Sequence, residues 1–250
     1  HHPQFVVICE PKLDVSKIES IRLRLLFDYV FVNCSSDIWI FYSSPFVCSI
    51  VGSSDQHISL DIQSPLLPSK FVMSFVHAKC SVEERKDLWC SLLHDKPSLL
   101  PWCIGGDFNV ILAPHEKRGG RPFAIAEGAD FMSFMEEAEV FDLGFSGASF
   151  TWSNNRRGRA RISKRLDRFL INGSFLDLSN KISVLHLARH PSDHAPLKIT
   201  FATRSDIKPR PFRFLNVWTT KPQFLEVIRQ AWNQDVGGSP LRVLCSKLLA

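Results

Sequence analysis

Short apolar runs separated by polar turns fill the first third of the chain, and they constrain its fold more than any other feature. The runs are rich in Val, Ile and Phe, residue types that are enriched in β-strands. Their lengths of five to eight residues favour strands over buried helices. The predicted strands cover residues 5–9, 29–33, 38–42, 46–51, 57–62 and 71–78.

Two helical patterns follow. Ser81 and Glu84 have the spacing of a capping box, which predicts a helix that ends near residue 93. A second helix is predicted over residues 124–139, where one face carries Phe131, Phe134, Met135 and Ala138. Further strands are predicted over residues 102–104, 149–152, 165–171, 182–188 and 197–201. Strand pairs interrupted by helices, without steady βαβ alternation, predict an α+β fold of two packed mixed β-sheets flanked by helices.

Residues 1–201 are predicted to form one principal domain. A polar stretch with two prolines, residues 202–211, then indicates a linker. Amphipathic patterns over residues 221–232 and 241–250 predict helices in the remaining segment, so that residues 202–250 form a separate, mainly helical part.

Bulk properties exclude some classes of protein. The mean hydropathy is -0.01, and the absence of an apolar run near the roughly 20 residues that span a bilayer argues against a membrane protein. The seven cysteines include no CxxC pair, which disfavours a disulfide framework or a zinc site and predicts a reducing compartment. No targeting signal is visible, so either a nuclear or a cytoplasmic location is expected.

Positive charge is concentrated in one segment. The net charge of +5 favours polyanionic partners only weakly, but residues 156–168 contain seven basic side chains in 13 positions. Such a density suits contact with a phosphate backbone. A solvated loop or a localisation signal explains the segment equally well when it is considered alone.

Four polar groups lie where predicted strands end. Asp107 and Asn109 would point to one side if the strand before them continues, although a Gly-Gly-Asp turn is the commoner explanation. His194 follows Asp193, and because adjacent strand residues point apart, another carboxylate should orient the imidazole. Glu10 ends an apolar strand before a proline. For each of them a surface turn or a solvated strand end remains the simpler alternative.

The order of these segments resembles a known superfamily. Glu10, Gly106-Asp107-Phe108-Asn109, Phe150-Thr151-Trp152, Arg165-Leu166-Asp167-Arg168 and Ser192-Asp193-His194-Ala195-Pro196-Leu197 occur in the order typical of endonuclease/exonuclease/phosphatase proteins. The form with Thr-Trp-Ser-Asn-Asn is similar to the endonuclease domain of plant LINE-type (non-LTR) retrotransposons. The resemblance implies a four-layer, DNase I-like α/β sandwich. It also implies an N-terminally truncated domain, because the family's first strand, which carries an Asn, has no counterpart here.

The resemblance further implies a role for each matching residue. Glu10 would ligate Mg²⁺, with Mn²⁺ as a possible substitute, and Asp193 would complete the metal-side cluster. Asp107 would activate the attacking water. Asn109 and His194 would contact the scissile phosphate, and Asp167 would fix the His194 tautomer. His77 stands where the family usually has Tyr and would also act catalytically, as a donor to a phosphate. The residues expected to contact DNA are Thr151, Trp152, Asn154, Arg156, Arg157, Arg159, Arg161 and Arg165.

The function implied is a metal-dependent DNA endonuclease that nicks its target to prime reverse transcription. Its partners would be DNA and a reverse transcriptase domain in the parent polyprotein, with no membrane and no disulfide-linked partner. Two alternatives to this function remain open. One is a decayed retroelement relic with at most weak nucleic-acid binding, and the other is a phosphomonoesterase of the same superfamily.

Overall fold

The computed structural model describes residues 3–178, 182–189, 192–201, 223–233 and 243. The chain forms two compact units, His1–Lys208 and Pro209–Ala250. The strands are β1 (Phe5–Cys9), β2 (Tyr29–Val32), β3 (Ile38–Tyr42), β4 (Val47–Ser53), β5 (His57–Gln63), β6 (Phe71–His77), β7 (Trp102–Asp107), β8 (Lys117–Arg118), β9 (Val140–Asp142), β10 (Ser146–Gly147), β11 (Trp152–Ser153), β12 (Ser163–Lys164), β13 (Asp167–Asn172), β14 (Ile182–His186) and β15 (Leu197–Phe201). The helices are α1 (Ile18–Leu25), α2 (Val82–Asp95), α3 (Ala129–Ala138), α4 (Phe175–Leu178) and α5 (Phe224–Trp232).

A six-stranded sheet in the order β4-β5-β6-β7-β13-β9 organises the first unit. Its neighbouring strands are antiparallel except for β6 and β7, which run parallel. The strands β6 and β7 are almost wholly buried because both faces of the sheet are covered. That explains why these two strands have continuous apolar runs instead of alternating ones.

Each face of the six-stranded sheet packs on a separate core. On one face, residues such as Val76, Ile104 and Leu170 pack against Trp89 of α2 and Phe134 of α3. On the other face, residues including Leu60, Met73 and Phe169 pack against strands of two three-stranded sheets, β1-β3-β2 and β10-β14-β15. Both three-stranded sheets therefore cover one face of the central sheet.

The outer side of β3 is covered by α1. Trp39 and Phe41 are fully buried against a cluster that includes Phe27, Ile18 and Ile21. The first unit therefore has four layers, in the order of the helices α2 and α3, the six-stranded sheet, the two three-stranded sheets, and the helix α1. The predicted α+β architecture is confirmed, and the second strand layer consists of two hydrogen-bonded sheets, β1-β3-β2 and β10-β14-β15.

The start of α2 agrees with the sequence prediction, whereas the other helices of the first unit agree only in part or were not predicted. The N-cap of α2 is Ser81, whose hydroxyl accepts a hydrogen bond from the Glu84 amide at 3.2 Å. The predicted helix over residues 124–139 begins as a 3₁₀ turn over Ile125–Gly128 before α3 starts. The helix α1 was not predicted, because only a few of its residues face the core.

In the second unit, α5 lies within the helix predicted over residues 221–232. The predicted linker over residues 202–211 lies outside the described residues, as does the predicted helix over residues 241–250 apart from residue 243. In the described part of the chain, no helix combines the length and the apolar character needed to cross a membrane.

Candidate active site

Three neighbouring strands of the central sheet bring three polar side chains into register. His77, the last residue of β6, pairs with Asp107, the last residue of β7. Asp107 pairs in turn with Asp167, the first residue of β13. Hydrogen-bonded pairing places neighbouring strands about 4.8 Å apart, so the three residues form a row at one end of the sheet.

His194 joins this row from the segment before β15. Its Nδ1 lies 2.9 Å from an Asp167 carboxylate oxygen, and its Nε2 lies 3.8 Å from an Asp107 oxygen. The carboxylate that orients the imidazole is therefore Asp167, which is 27 positions away in sequence, and not the adjacent Asp193. This geometry leaves the Nε2 side of the ring facing Asp107.

The surroundings set the charges of Asp107 and His194. Burial and the nearby Asp167 charge raise the pKa of Asp107 to about 7, although His194 opposes this shift. Burial alone would lower the pKa of His194. The hydrogen bond with Asp167, together with the charges of Asp167, Asp107 and Asp193, outweighs burial and raises that pKa to about 9. At neutral pH the imidazole is consequently a cation beside a carboxyl group that exchanges protons readily.

Glu10 follows β1 and faces the same row. Its backbone adopts the left-handed conformation, with a φ of 47°, and its amide donates to the Asp37 carbonyl at 2.8 Å. One carboxylate oxygen lies 3.7 Å from His77 Nε2 and the other lies 3.8 Å from Lys12 Nζ. Burial lowers the pKa of His77, so this histidine is neutral at neutral pH. The Glu10 carboxylate remains 55% exposed.

Asn109 reaches the site through a turn and not through continued strand geometry. The strand β7 ends at Asp107, and Asn109 has a φ of 51°. Its backbone N–H donates to an Asp107 carboxylate oxygen at 2.8 Å, and its side-chain amide nitrogen donates to the Ala78 carbonyl at 2.7 Å. Because a primary amide carries two N–H groups, one donor of Asn109 remains for a ligand.

Thr151 lies inside the protein, so the expectation that it contacts DNA is corrected. Its side chain is fully buried, and its Oγ1 accepts hydrogen bonds from the amides of Leu166 and Asp167, both at 3.0 Å. Its carbonyl accepts a hydrogen bond from the Ala195 amide at 2.6 Å. Thr151 thus connects the segment that carries Asp167 to the segment that carries His194.

Arg165 is also buried, and the prediction of a DNA contact is wrong for it as well. Its guanidinium pairs with Glu116 at 3.1 Å and with Asp142 at 2.7 Å, and it lies 4.5 Å from the Phe145 ring centroid. Arg168 pairs with the same two acids. Two of the seven basic residues in the segment therefore hold the start of β13 in place.

The exposed arginines of the segment lie on the loop between β11 and β12. They are Arg156, Arg157, Arg159 and Arg161. Asn154 stabilises this loop, because its side-chain nitrogen donates to the Ala160 carbonyl at 3.0 Å and its oxygen accepts from the Ile162 amide at 3.0 Å. A DNA contact by Asn154 would have to use its remaining N–H.

Trp152 connects the same hairpin to the site. It forms an isolated antiparallel bridge with His194, and its indole N–H donates to an Asp193 carboxylate oxygen at 3.1 Å. The Ser153 amide donates to the Asp193 carbonyl at 3.0 Å.

The sequence did not predict the supporting residues Glu116, Asp142 and Arg168. Nothing in the local sequence distinguishes a charged residue that pairs with a partner tens of positions away.

The acidic groups suit a hard divalent cation on the Glu10 side of the site. Ligand atoms of Asp107, Asp167 and His194 lie within 4.8 Å of one another. A protonated imidazole cannot coordinate a metal, however, and its hydrogen bond occupies one Asp167 oxygen. Glu10 fits a cation such as Mg²⁺ better, because its carboxylate is exposed and its two basic neighbours lie beyond ordinary hydrogen-bond distance.

Comparison with known proteins identifies the fold. No family model and no curated protein matches the sequence. The endonuclease domain of TRAS1, a telomere-specific non-LTR retrotransposon, has a similar structure, with 15% identity, a TM-score of 0.56, and coverage of 80% of this chain and 98% of that one. The 3′ phosphatase NExo from Neisseria, solved with a product DNA hairpin, has 16% identity and a TM-score of 0.58 over 80% and 89% of the two chains.

A beta toxin variant from Staphylococcus aureus with bound magnesium ions is similar as well. It has 14% identity and a TM-score of 0.54 over 80% of this chain and 86% of the toxin. The chain therefore has the DNase I-like fold, which the nucleases and phosphatases among its structural neighbours share.

Proposed function

We propose that the chain is a metal-dependent DNA endonuclease, namely the endonuclease domain of a LINE-type retroelement. The observation that carries the proposal is the convergence of Asp107, Asp167 and His194 within 4.8 Å at the end of the central sheet. A carboxylate beside an oriented imidazolium suits the hydrolysis of a phosphodiester. The plant-type sequence motifs and the similarity to a retrotransposon endonuclease support the retroelement assignment.

In the proposed reaction, a water molecule lies between Asp107 and the scissile phosphate. Asp107 accepts a proton as the water oxygen bonds to phosphorus, and the P–O3′ bond breaks. The leaving oxygen takes a proton from solvent, which yields a 3′-hydroxyl and a 5′-phosphate. The 3′-hydroxyl is the group that a reverse transcriptase would extend.

His194 and Asn109 stabilise the charge that develops on the phosphate. The imidazolium Nε2–H donates to a non-bridging oxygen, and Asp167 holds the ring in that orientation through Nδ1. The free N–H of Asn109 donates to the same group. A divalent ion held by Glu10, with Asp193 on the metal side, would supply further positive charge to the phosphate.

Relaxation of supercoiled plasmid DNA tests the proposal. The chain should convert supercoiled plasmid to nicked circles in the presence of Mg²⁺ or Mn²⁺. His194→Ala should lower the rate by at least about a hundredfold, because a charge-stabilising donor contributes that much in similar sites. Binding of the same DNA in EDTA should change little, since His194 acts mainly in the transition state.

The alternatives give different results in the same assay. A phosphomonoesterase would release inorganic phosphate from a 3′-phosphorylated oligonucleotide and leave the plasmid intact. A decayed relic would do neither. Equal plasmid nicking by the unchanged chain and by His194→Ala would also refute the proposed function.

A further inference from the structure

A second basic segment lies beside the basic segment of residues 156–168. The strand β8 contains Lys117 and Arg118, and it pairs antiparallel with β12, so that Lys117 lies opposite Lys164 and Arg118 lies opposite Ser163. The paired positions are more than 40 residues apart in sequence. Neither Lys117 nor Arg118 was predicted to contact DNA. We call Lys117, Arg118, Arg121 and Lys164 the β8 surface.

The turn after β8 places this surface against the arginine loop. Gly119 and Gly120 both have positive φ angles, 83° and 70°. A Cβ at Gly119 would lie 2.3 Å from the Arg161 carbonyl oxygen, which shows how closely the two backbones approach. The basic side chains of residues 117–121 and 156–164 therefore belong to one continuous region.

Like charges on the β8 surface are only partly compensated. Directly opposed charges of the same sign destabilise a strand pair. Burial, followed by the Lys117 charge, lowers the pKa of Lys164, and Arg121 contributes in the same direction. Glu127 opposes this effect but is itself paired with Arg121 at 3.4 Å. Glu116, next to Lys117 in sequence, is buried against Arg165 and Arg168.

The β8 surface has a defined position relative to the candidate site. The strands β8, β12 and β11 are consecutive in one sheet, and Trp152 of β11 is bridged to His194. Three steps of about 4.8 Å each put β8 on the order of 14 Å from His194. That distance corresponds to roughly four nucleotides, since one strand of a duplex advances about 3.4 Å per phosphate.

On the basis of the proposed function, we propose that the β8 surface binds the phosphate backbone of duplex DNA roughly four nucleotides from the scissile bond. A polyanion would relieve the repulsion between Lys117 and Lys164 and would contact the arginine loop at the same time. The DNA footprint would then extend to one side of the cleavage position, because the surface lies on one side of His194.

Binding to duplex DNA in EDTA at several KCl concentrations tests this proposal without cleavage. The variant Lys117→Gln/Arg118→Gln should bind more weakly. The negative slope of log affinity against log salt should become less steep, by about 0.9 for each phosphate that the variant no longer neutralises. Lys17→Gln/Arg24→Gln, which removes two exposed charges near and in α1, is the matched control and should leave the slope unchanged. Arg121→Gln alone provides a second variant of the β8 surface.

Duplex length gives a second measurement. When the duplex is shortened in steps from one end toward the cleavage position, the advantage of the unchanged chain over Lys117→Gln/Arg118→Gln should disappear once fewer than roughly four base pairs remain. Shortening the other end should not remove it. Equal salt slopes for the unchanged chain and both β8 variants would overturn the proposal. Failure of the proposed function would instead appear as an absence of nicking that depends on His194.

Discussion

The Thr151 hydroxyl oxygen lies 3.0 Å from the backbone amide of Asp167 and accepts its hydrogen bond. The same oxygen accepts from the Leu166 amide, and the Thr151 carbonyl accepts from the Ala195 amide. One buried residue thus fixes the spacing between the acid that orients the imidazole and the segment that carries His194.

Thr151→Val should destabilise the protein and reduce nicking. The substitution conserves shape but leaves two buried amides without an acceptor, at a cost of about 1–3 kcal/mol each. Thr151→Ser keeps the oxygen and should retain most of the activity. Urea unfolding and plasmid nicking should be measured on both variants. Comparable nicking rates for Val and Ser at a temperature where both are folded would contradict the positioning role.

Gly106→Ala should be much more damaging than Gly105→Ala. Gly106 has a φ of 142°, and a Cβ there would lie 2.0 Å from the Val76 carbonyl oxygen in the adjacent strand. A Cβ at Gly105 would meet the Phe169 ring at 3.1 Å, which a small side-chain shift can relieve. We expect Gly106→Ala to lower the free energy of unfolding by more than about 2 kcal/mol. Similar thermal midpoints for the two variants would show that the β6–β7 pairing tolerates the change.

Acid should weaken the fold partly through Glu116. Burial alone would raise the pKa of this carboxyl, but the hydrogen bond and charge of Arg168 lower it below its ordinary value of 4.5. A carboxyl whose folded pKa is lowered stabilises the protein above its unfolded pKa, and that contribution is lost as the pH falls through the folded value. Glu116→Gln should therefore cost about 3 kcal/mol at pH 7.

The difference between the unchanged chain and Glu116→Gln should shrink as the pH falls below about 4.5. Glu83→Gln serves as the control, because Glu83 is exposed and pairs with Lys86 on α2. It should leave the stability unchanged, since exposed ion pairs contribute little. Urea unfolding at a series of pH values gives both comparisons. A pH-independent effect of Glu116→Gln would contradict this account of the buried pairs.

Glu10→Gln should increase the metal concentration needed for nicking. An amide oxygen carries no charge and holds a hard cation less tightly than a carboxylate does. We expect the half-saturating Mg²⁺ concentration to rise at least about tenfold, with less change in DNA affinity in EDTA. Glu137→Gln, an exposed acid on α3, is the control. An unchanged Mg²⁺ dependence would exclude Glu10 as the ligand.

Much of the fold was predictable because local sequence patterns identify many of its strands. The predicted limits of β1, β3 and β15 agree with the structure, since β1 and β3 are short apolar runs and β15 alternates apolar and polar residues. The helix α1 could not be predicted in the same way. Only a few of its residues, among them Ile18 and Ile21, pack against the protein, and most of the others face solvent.

The candidate site was predictable where its residues belong to recognisable motifs, and unpredictable where buried supporting charges pair at long range. Asp107, Asp167 and His194 belong to motifs that can be recognised in sequence. Thr151 and Arg165 lie in predicted strands on either side of a basic stretch that looks like a surface loop. Their burial depends on partners elsewhere in the chain, such as Glu116, 49 positions before Arg165. Local patterns contain no information about such pairs.

The register that aligns His77, Asp107 and Asp167 makes this site a property of strand pairing as much as of side chains. A slip of one residue between β7 and β13 would turn Asp107 or Asp167 toward the opposite face of the sheet. Buried apolar residues such as Ile104 and Leu170, which pair directly, fix that alignment. For protein engineering, the portion needed to carry this chemistry to another scaffold thus includes the paired strands β6, β7 and β13 together with the segments that hold Glu10 and His194. Transplanted loops alone would not suffice.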